Sequence, residues 1–201
     1  MMYDITGIFP IPVYSTTLDM DQDVHNFVQT LEYTKNQYNT NSVNSYILEC
    51  QELHNIKQQI ILHIKNYCDT IICSDTVGLK ITQSWITSTD NNEIMHTHYH
   101  PNSIISGVFY IAPDEPSKIN FIRKHWANDT IFKFNKTRFN EFNADEFSVN
   151  VKKRMLILFP SYLVHNVSIN NSNEKRFSLA FNTFYTGKLG NELSLSSLEI
   201  K

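Results

Sequence analysis

The chain has 201 residues, 41% of them hydrophobic and 12% aromatic, and a formal charge of −3. That length suits a single domain spanning residues 1–201, and the apolar content excludes an intrinsically disordered chain. The mild acidity gives no electrostatic case for a nucleic-acid partner, and no uncharged apolar run approaches the roughly 20 residues of a membrane span.

At the N-terminus, residues 8–14 carry two prolines, Pro10 and Pro12, and read as an extended segment. The start lacks the basic and apolar regions of a signal sequence, so a cytoplasmic location is expected. A helix is predicted over residues 20–33, entered from Thr17 to Asp19, with Val24, Phe27, Val28 and Leu31 on one face. The polar residues 36–42 read as a loop. A longer helix is predicted over residues 47–72, where Leu53, Ile56, Ile60, Ile64, Tyr67 and Ile71 form one apolar stripe suited to bracing a sheet. Cys50, Cys68 and Cys73 lie in or beside it, lack zinc-type spacing, and read as small buried apolar residues.

From residue 78 the texture changes to strands. Residues 79–88 are β-branched, aromatic and partly alternating, and further strands are predicted at 104–112, 118–123, 154–159, 164–169 and 175–185. Asn, Asp, Ser and Pro clusters separate most of them. Lys152, Lys153 and Arg154 form the tightest basic cluster and read as a solvated strand entry. Residues 125–150 show no dominant period and suit either a covering loop or additional edge strands. Trp85 and Trp126 read as core or lid aromatics. Helices first and then many short strands argue for an α+β, mainly β chain. A double-stranded β-helix (a jelly-roll) fits best, with two N-terminal bracing helices within residues 17–75 and a core over residues 78–187.

The chemistry concentrates in the second half. Residues two apart on a strand share a face, so His98 and His100 present two imidazoles side by side, with His96 as the reserve. In a jelly-roll, ligands about 65 residues apart can meet at one mouth, which makes His165 the candidate third metal ligand. Three imidazoles on one side of an ion leave other positions open, a pattern suited to Fe(II). Arg176 offers a fixed guanidinium that can clamp a carboxylate through paired charge-assisted hydrogen bonds, and Ser178 shares its strand face. Surface histidines and an ordinary arginine are the plainer readings of the same residues. Tyr110 and Asn182 are candidate co-substrate contacts, with a core tyrosine and a turn-capping asparagine of equal standing. Ser106 and Gly107 read as a packing requirement beside the site.

His98, His100, Asn102, Ser103, Ser106, Gly107, Val108 and Tyr110 form one motif; Leu158 to Ser161 with His165 form another. They are followed by Arg176, Ser178, Ala180, Phe181 and Asn182, then by Gly187, Leu189 and Gly190, and are preceded by Phe9, Pro10, Pro12 and Val13. In this order the set resembles the 2-oxoglutarate/Fe(II)-dependent dioxygenases, a group with many phage-encoded members. The resemblance implies a jelly-roll, Fe(II), and decarboxylation of 2-oxoglutarate to succinate and CO2 as O2 is activated. Hydroxylation of an unreactive C–H bond in a primary substrate is the usual outcome. The arginine follows the candidate metal histidine by 176 − 165 = 11 residues, similar to its placement in many such enzymes.

One departure stands out. The commonest iron triad in that group is His-x-Asp/Glu with a distal His, and here His100 occupies the carboxylate position; Asp90 and Glu93 are at the wrong spacing. An all-histidine site binds Fe(II) with one less negative charge. That leaves two rivals to the leading reading: a three-histidine cupin-type dioxygenase that does not use 2-oxoglutarate, and a non-enzymatic jelly-roll binding module. The primary substrate is not specified by the sequence, and a homodimer stays open.

Overall fold

The computed structural model describes residues 4–123 and 135–201. In chain order the elements are β1 (Tyr14–Thr17), α1 (Asp23–Thr30), β2 (Tyr33–Lys35), β3 (Thr40–Ser42), α2 (His54–Tyr67), β4 (Val77–Thr89), β5 (Met95–His98) and β6 (Ile105–Ala112). They continue with β7 (Ser117–Ile122), β8 (Glu146–Val151), β9 (Met155–Pro160), β10 (Val164–Val167), β11 (Arg176–Leu189) and β12 (Leu198–Ile200).

The strands form two sheets. The larger runs β1-β9-β6-β11-β4-β3-β2, with β12 added to the far end of β11; the smaller runs β5-β10-β7-β8. All these pairings are antiparallel. This is a jelly-roll β-sandwich, as the strand pattern predicts.

Side-chain alternation explains the layering. Along β6, Ile105, Phe109 and Ile111 join the apolar cluster that includes Ile56, Ile60 and Ile64 of α2. Val108 and Tyr110 of the same strand point the other way and pack with Ile119, Phe121, Phe159 and Val167, between the sheets. Each fully buried Ile of α2 contributes about 1.5–3 kcal/mol by leaving water, so the helix is held mainly through its apolar face. β11 alternates likewise: Phe177, Leu179 and Phe181 belong to the helix-side cluster. Arg176, Ser178 and Ala180 line a cavity on the opposite side.

Three expectations need amendment, and a fourth resolves in part to one of its two alternatives. The first helix is shorter at both ends than residues 20–33, being only Asp23–Thr30. The second begins as two tight 3-10 turns, Ile47–Glu49 and Gln51–Leu53, and ends in a wider π turn, Cys68–Ile72, closed by Cys73 N–H to Cys68 O at 2.8 Å. Insertion of that turn rotates the last residues, so Ile71 leaves the stripe and is 44% exposed. Residues 36–42 are not all loop, because Thr40 and Asn41 pair with Ser88 and Thr87 of β4, where Thr87 Oγ1 donates to Asn41 Oδ1 at 3.0 Å. Within residues 125–150, Glu146–Val151 forms the edge strand β8, whereas Trp126 and the segment around it lie outside the described residues. No helix among the described residues is long and apolar enough to cross a membrane.

Candidate metal and co-substrate site

β5 and β10 lie side by side, with His98 directly opposite His165. His100 follows just past the end of β5, where its main-chain N–H donates to Ser161 O at 3.0 Å. The three imidazoles therefore converge, and one ring nitrogen from each lies within 4.8 Å of the others. The ring centroids are 4.4 Å apart for His98–His165 and 5.2 Å for both His98–His100 and His100–His165.

Each ring is held by its Nδ1. That of His98 is 2.7 Å from His96 O, that of His165 is 2.8 Å from Leu163 O, and that of His100 is 2.7 Å from Asn182 Oδ1. A main-chain carbonyl oxygen only accepts, so Nδ1 of His98 and of His165 carries the proton and donates, and Nε2 is left with a free lone pair, as a metal ligand requires. Burial reinforces this. Loss of water pushes the His165 pKa down to about 3 and that of His100 down to about 4, and lowers that of His98; the neighbouring imidazoles add to each shift. All three are thus neutral at neutral pH, the form that binds a cation. His100 Nε2 is buried with no hydrogen-bond partner, an orphan that a metal ion would satisfy. The donor set fits Fe(II) and leaves coordination positions free for a chelating 2-oxo acid and O2.

His96 lies outside this group. Its ring is 5.1 Å from that of His98 and 5.6 Å from that of Tyr38, and its main-chain carbonyl is what orients His98.

The same cavity reaches Arg176. This arginine is 3% exposed; its Nη1 donates to Ser117 Oγ at 3.1 Å and to Ser168 O at 2.9 Å, and its Nη2 has no partner. Among the described residues no carboxylate pairs with it. Burial lowers its pKa, but a guanidinium starts so high that it stays charged. A second orphan, the Tyr110 hydroxyl, also lines the cavity; burial pushes its pKa up, so it remains a neutral donor. A buried cation without a counter-ion is expensive unless an anion completes it. The two unpaired donors line the same cavity as the three imidazoles.

Ser178 lines the cavity too, whereas Asn182 is not on its wall and instead accepts from His100. Trp85 is stacked on His100 at 5.8 Å between ring centroids, with the planes 27° apart. Gly107 faces the helix side, where a Cβ would come within 2.1 Å of Phe181 Cζ, so its absence of a side chain is a packing requirement. Sequence reasoning missed Ser117 and the Ser168 carbonyl as holders of Arg176, and Ser161 as a neighbour of His100. Hydroxyls and carbonyls with such roles carry no pattern that distinguishes them in a sequence.

Residues 83–182 match the family model described as "Putative 2OG-Fe(II) oxygenase". No curated sequence matches the chain. Among solved structures, a 2OG-Fe(II) oxygenase-family oxidoreductase from Burkholderia pseudomallei superposes with a TM-score of 0.53 at 11% identity, covering 80% of this chain and 75% of that one. HygX from Streptomyces hygroscopicus, solved with nickel, 2-oxoglutarate and hygromycin B bound, gives a TM-score of 0.55 at 9% identity, covering 86% of this chain and 82% of the other. At these identities the superpositions speak to the fold.

Proposed function

The chain belongs to the 2OG-Fe(II) oxygenase family, with Fe(II) and 2-oxoglutarate as its cofactors, and on that premise we propose that it is an active dioxygenase that hydroxylates a substrate still to be identified. The balanced reaction takes one C–H bond, one 2-oxoglutarate and one O2 to one C–OH, one succinate and one CO2. One observation carries the reading. Three imidazoles with free Nε2 atoms and a buried guanidinium with an unpaired Nη2 line one cavity.

His98, His100 and His165 would hold the metal. Bound Fe(II) supplies the redox chemistry by which O2 is activated while 2-oxoglutarate is decarboxylated. Arg176 Nη2 and the Tyr110 hydroxyl would take the distal carboxylate of 2-oxoglutarate, since both are buried donors without partners. Val108, Ile119 and Val167 form an apolar wall of the cavity, which strengthens these polar contacts by excluding water. Purified protein given Fe(II) and 2-oxoglutarate is expected to release succinate, at least by uncoupled turnover. Equal succinate from wild type and His165→Ala would refute the assignment.

The absence of a carboxylate from the three-histidine cluster among the described residues favours one other reading, a three-histidine metal dioxygenase that does not use 2-oxoglutarate. Addition of N-oxalylglycine to the metal-loaded protein separates the two. A rise in melting temperature that vanishes in Arg176→Ala supports the 2-oxoglutarate reading, and no rise supports the other.

A further inference from the structure

The three candidate ligands differ in what orients them. His98 and His165 donate to main-chain carbonyls, which cannot do anything but accept. His100 faces a side-chain amide, and an amide has two ends. If the carbonyl of Asn182 faces Nδ1, His100 carries its proton there and Nε2 offers a lone pair. If the NH2 faces Nδ1, the proton must sit on Nε2, where it would be a buried N–H without a partner, at a cost of about 1–3 kcal/mol, and no metal could bind. One amide therefore decides whether the third ligand exists.

The surroundings supply a donor for the first arrangement. Asn182 lies directly opposite Ser106 across β11 and β6, and the Ser106 hydroxyl donates to Asn182 Oδ1 at 3.0 Å. Ser106 Oγ also lies 2.8 Å from Ser161 Oγ; the single Ser161 proton goes either there or to Ser103 Oγ at 2.7 Å, and either choice leaves the Ser106 proton available to Asn182 Oδ1. Ser103 Oγ accepts the main-chain N–H of Thr183 at 3.2 Å, which ties the chain of hydroxyls back to β11. Ser106 and Ser161 are fully buried, and Asn182 is 8% exposed. A bulge in β11 between Asn182 and Thr183 turns these neighbours to different tasks: Asn182 to His100, and Thr183 Oγ1 to Ile105 O at 2.7 Å.

We propose that Asn182 is a positioning residue for the metal centre: its side-chain carbonyl, steered by the Ser106 hydroxyl, keeps His100 protonated on Nδ1 and so makes Nε2 a ligand. This rests on the metal assignment above. It gives His100 a fixed ring orientation and the tautomer that leaves Nε2 free, while burial keeps the ring neutral. Ser106 acts on the metal only through Asn182.

The first test needs no variant. Long-range proton–nitrogen NMR of the metal-free, nitrogen-labelled protein reports each imidazole tautomer, with the His100 signals assigned from their loss in His100→Gln. His100 is expected as the Nδ1–H form; the Nε2–H form overturns the proposal. The second test measures Co(II) affinity and the visible Co(II) spectrum in wild type, Asn182→Leu and Asn182→Asp. Asn182→Leu removes the acceptor at similar size and is expected to weaken Co(II) binding about 10- to 100-fold and shift the bands. Asn182→Asp can only accept, and is expected to restore binding to within a few-fold of wild type. Wild-type affinity in a folded Asn182→Leu, or an Asn182→Asp as weak as Asn182→Leu, overturns the proposal. Should Asn182→Leu fail to fold, the tautomer and Asn182→Asp decide. A wild type that binds no Co(II) yet shows the Nδ1–H form would sink the metal assignment while leaving the hold of Asn182 on His100 intact.

Discussion

Arg176 and Tyr110 make opposite demands on the empty and the filled cavity. Each keeps a polar atom buried with no partner, Nη2 in one and the hydroxyl in the other. In Tyr110→Phe the orphaned hydroxyl is gone and the ring stays, so the metal-free protein should be as stable as wild type or more so by about 1 kcal/mol. The same change should weaken 2-oxoglutarate binding. Thermal melts and calorimetric titration of 2-oxoglutarate into the Ni(II)-loaded variant read the two effects separately. A marked loss of stability would show that the hydroxyl has a structural partner instead. Arg176→Met should leave Ni(II) affinity within a few-fold, because Arg176 is no ligand, and weaken 2-oxoglutarate by about 10- to 100-fold, the worth of a charge-assisted pair. Unchanged 2-oxoglutarate affinity would remove Arg176 from the site. Of the candidates, His98 and His100 stood out by strand alternation. His165 and Arg176 were picked out by motif position in the family resemblance, since a single histidine or arginine carries no pattern of its own. The role of Asn182 was not legible, since an inward-facing amide reads equally well as a ligand contact, a cap or a support.

At the scale of elements, the strands were legible and the helix ends were not. The predicted strands differ from the observed ones mostly at their ends, since alternation marks which residues face in but not where pairing stops. β11 runs past its predicted end at residue 185 to Leu189, where β12 pairs with it. β2 and β3 were missed because β3 pairs with β4, almost 50 residues away, β2 pairs in turn with β3, and their own sequence is polar. Gly107 shows what such packing demands of a single position. An added Cβ would sit 2.1 Å from Phe181 Cζ, and Phe181 is fully buried with no free side to move toward. Gly107→Ala should therefore cost about 1–3 kcal/mol as overpacking, lowering the melting temperature by roughly 2–12 °C. Phe181→Leu in the same chain should recover part of that loss. If Gly107→Ala melts like wild type, the β6–β11 contact is looser than the geometry indicates.

For the molecule as a whole, the jelly-roll does what no local pattern could. It sets β5 beside β10, so residues separated by 165 − 100 = 65 positions close one ring of imidazoles in a low-water interior. That convergence has a cost that depends on pH. The pKa values of His100 and His165 in the folded chain, about 4 and about 3, lie below the ordinary imidazole value of 6.5. Between those limits the unfolded chain binds protons that the folded chain refuses, so stability rises with pH and falls on acidification. Above about 6.5 neither state is protonated at these groups and the effect disappears. The metal-free protein should hence show a flat melting temperature above pH 7 and a decline from pH 6.5 toward pH 4. The slope from these two residues is at most about 1.4 kcal/mol per pH unit each. Bound metal needs the same neutral rings, so in the folded chain acid should release it only as pH falls to about 4 and below, where His100 and His165 take up protons. The double variant His100→Gln, His165→Gln has nothing to protonate at these positions and should flatten the decline. A melting temperature that falls as steeply in that variant would place the acid sensitivity in other groups and deny the three-histidine cluster its control over the pH response.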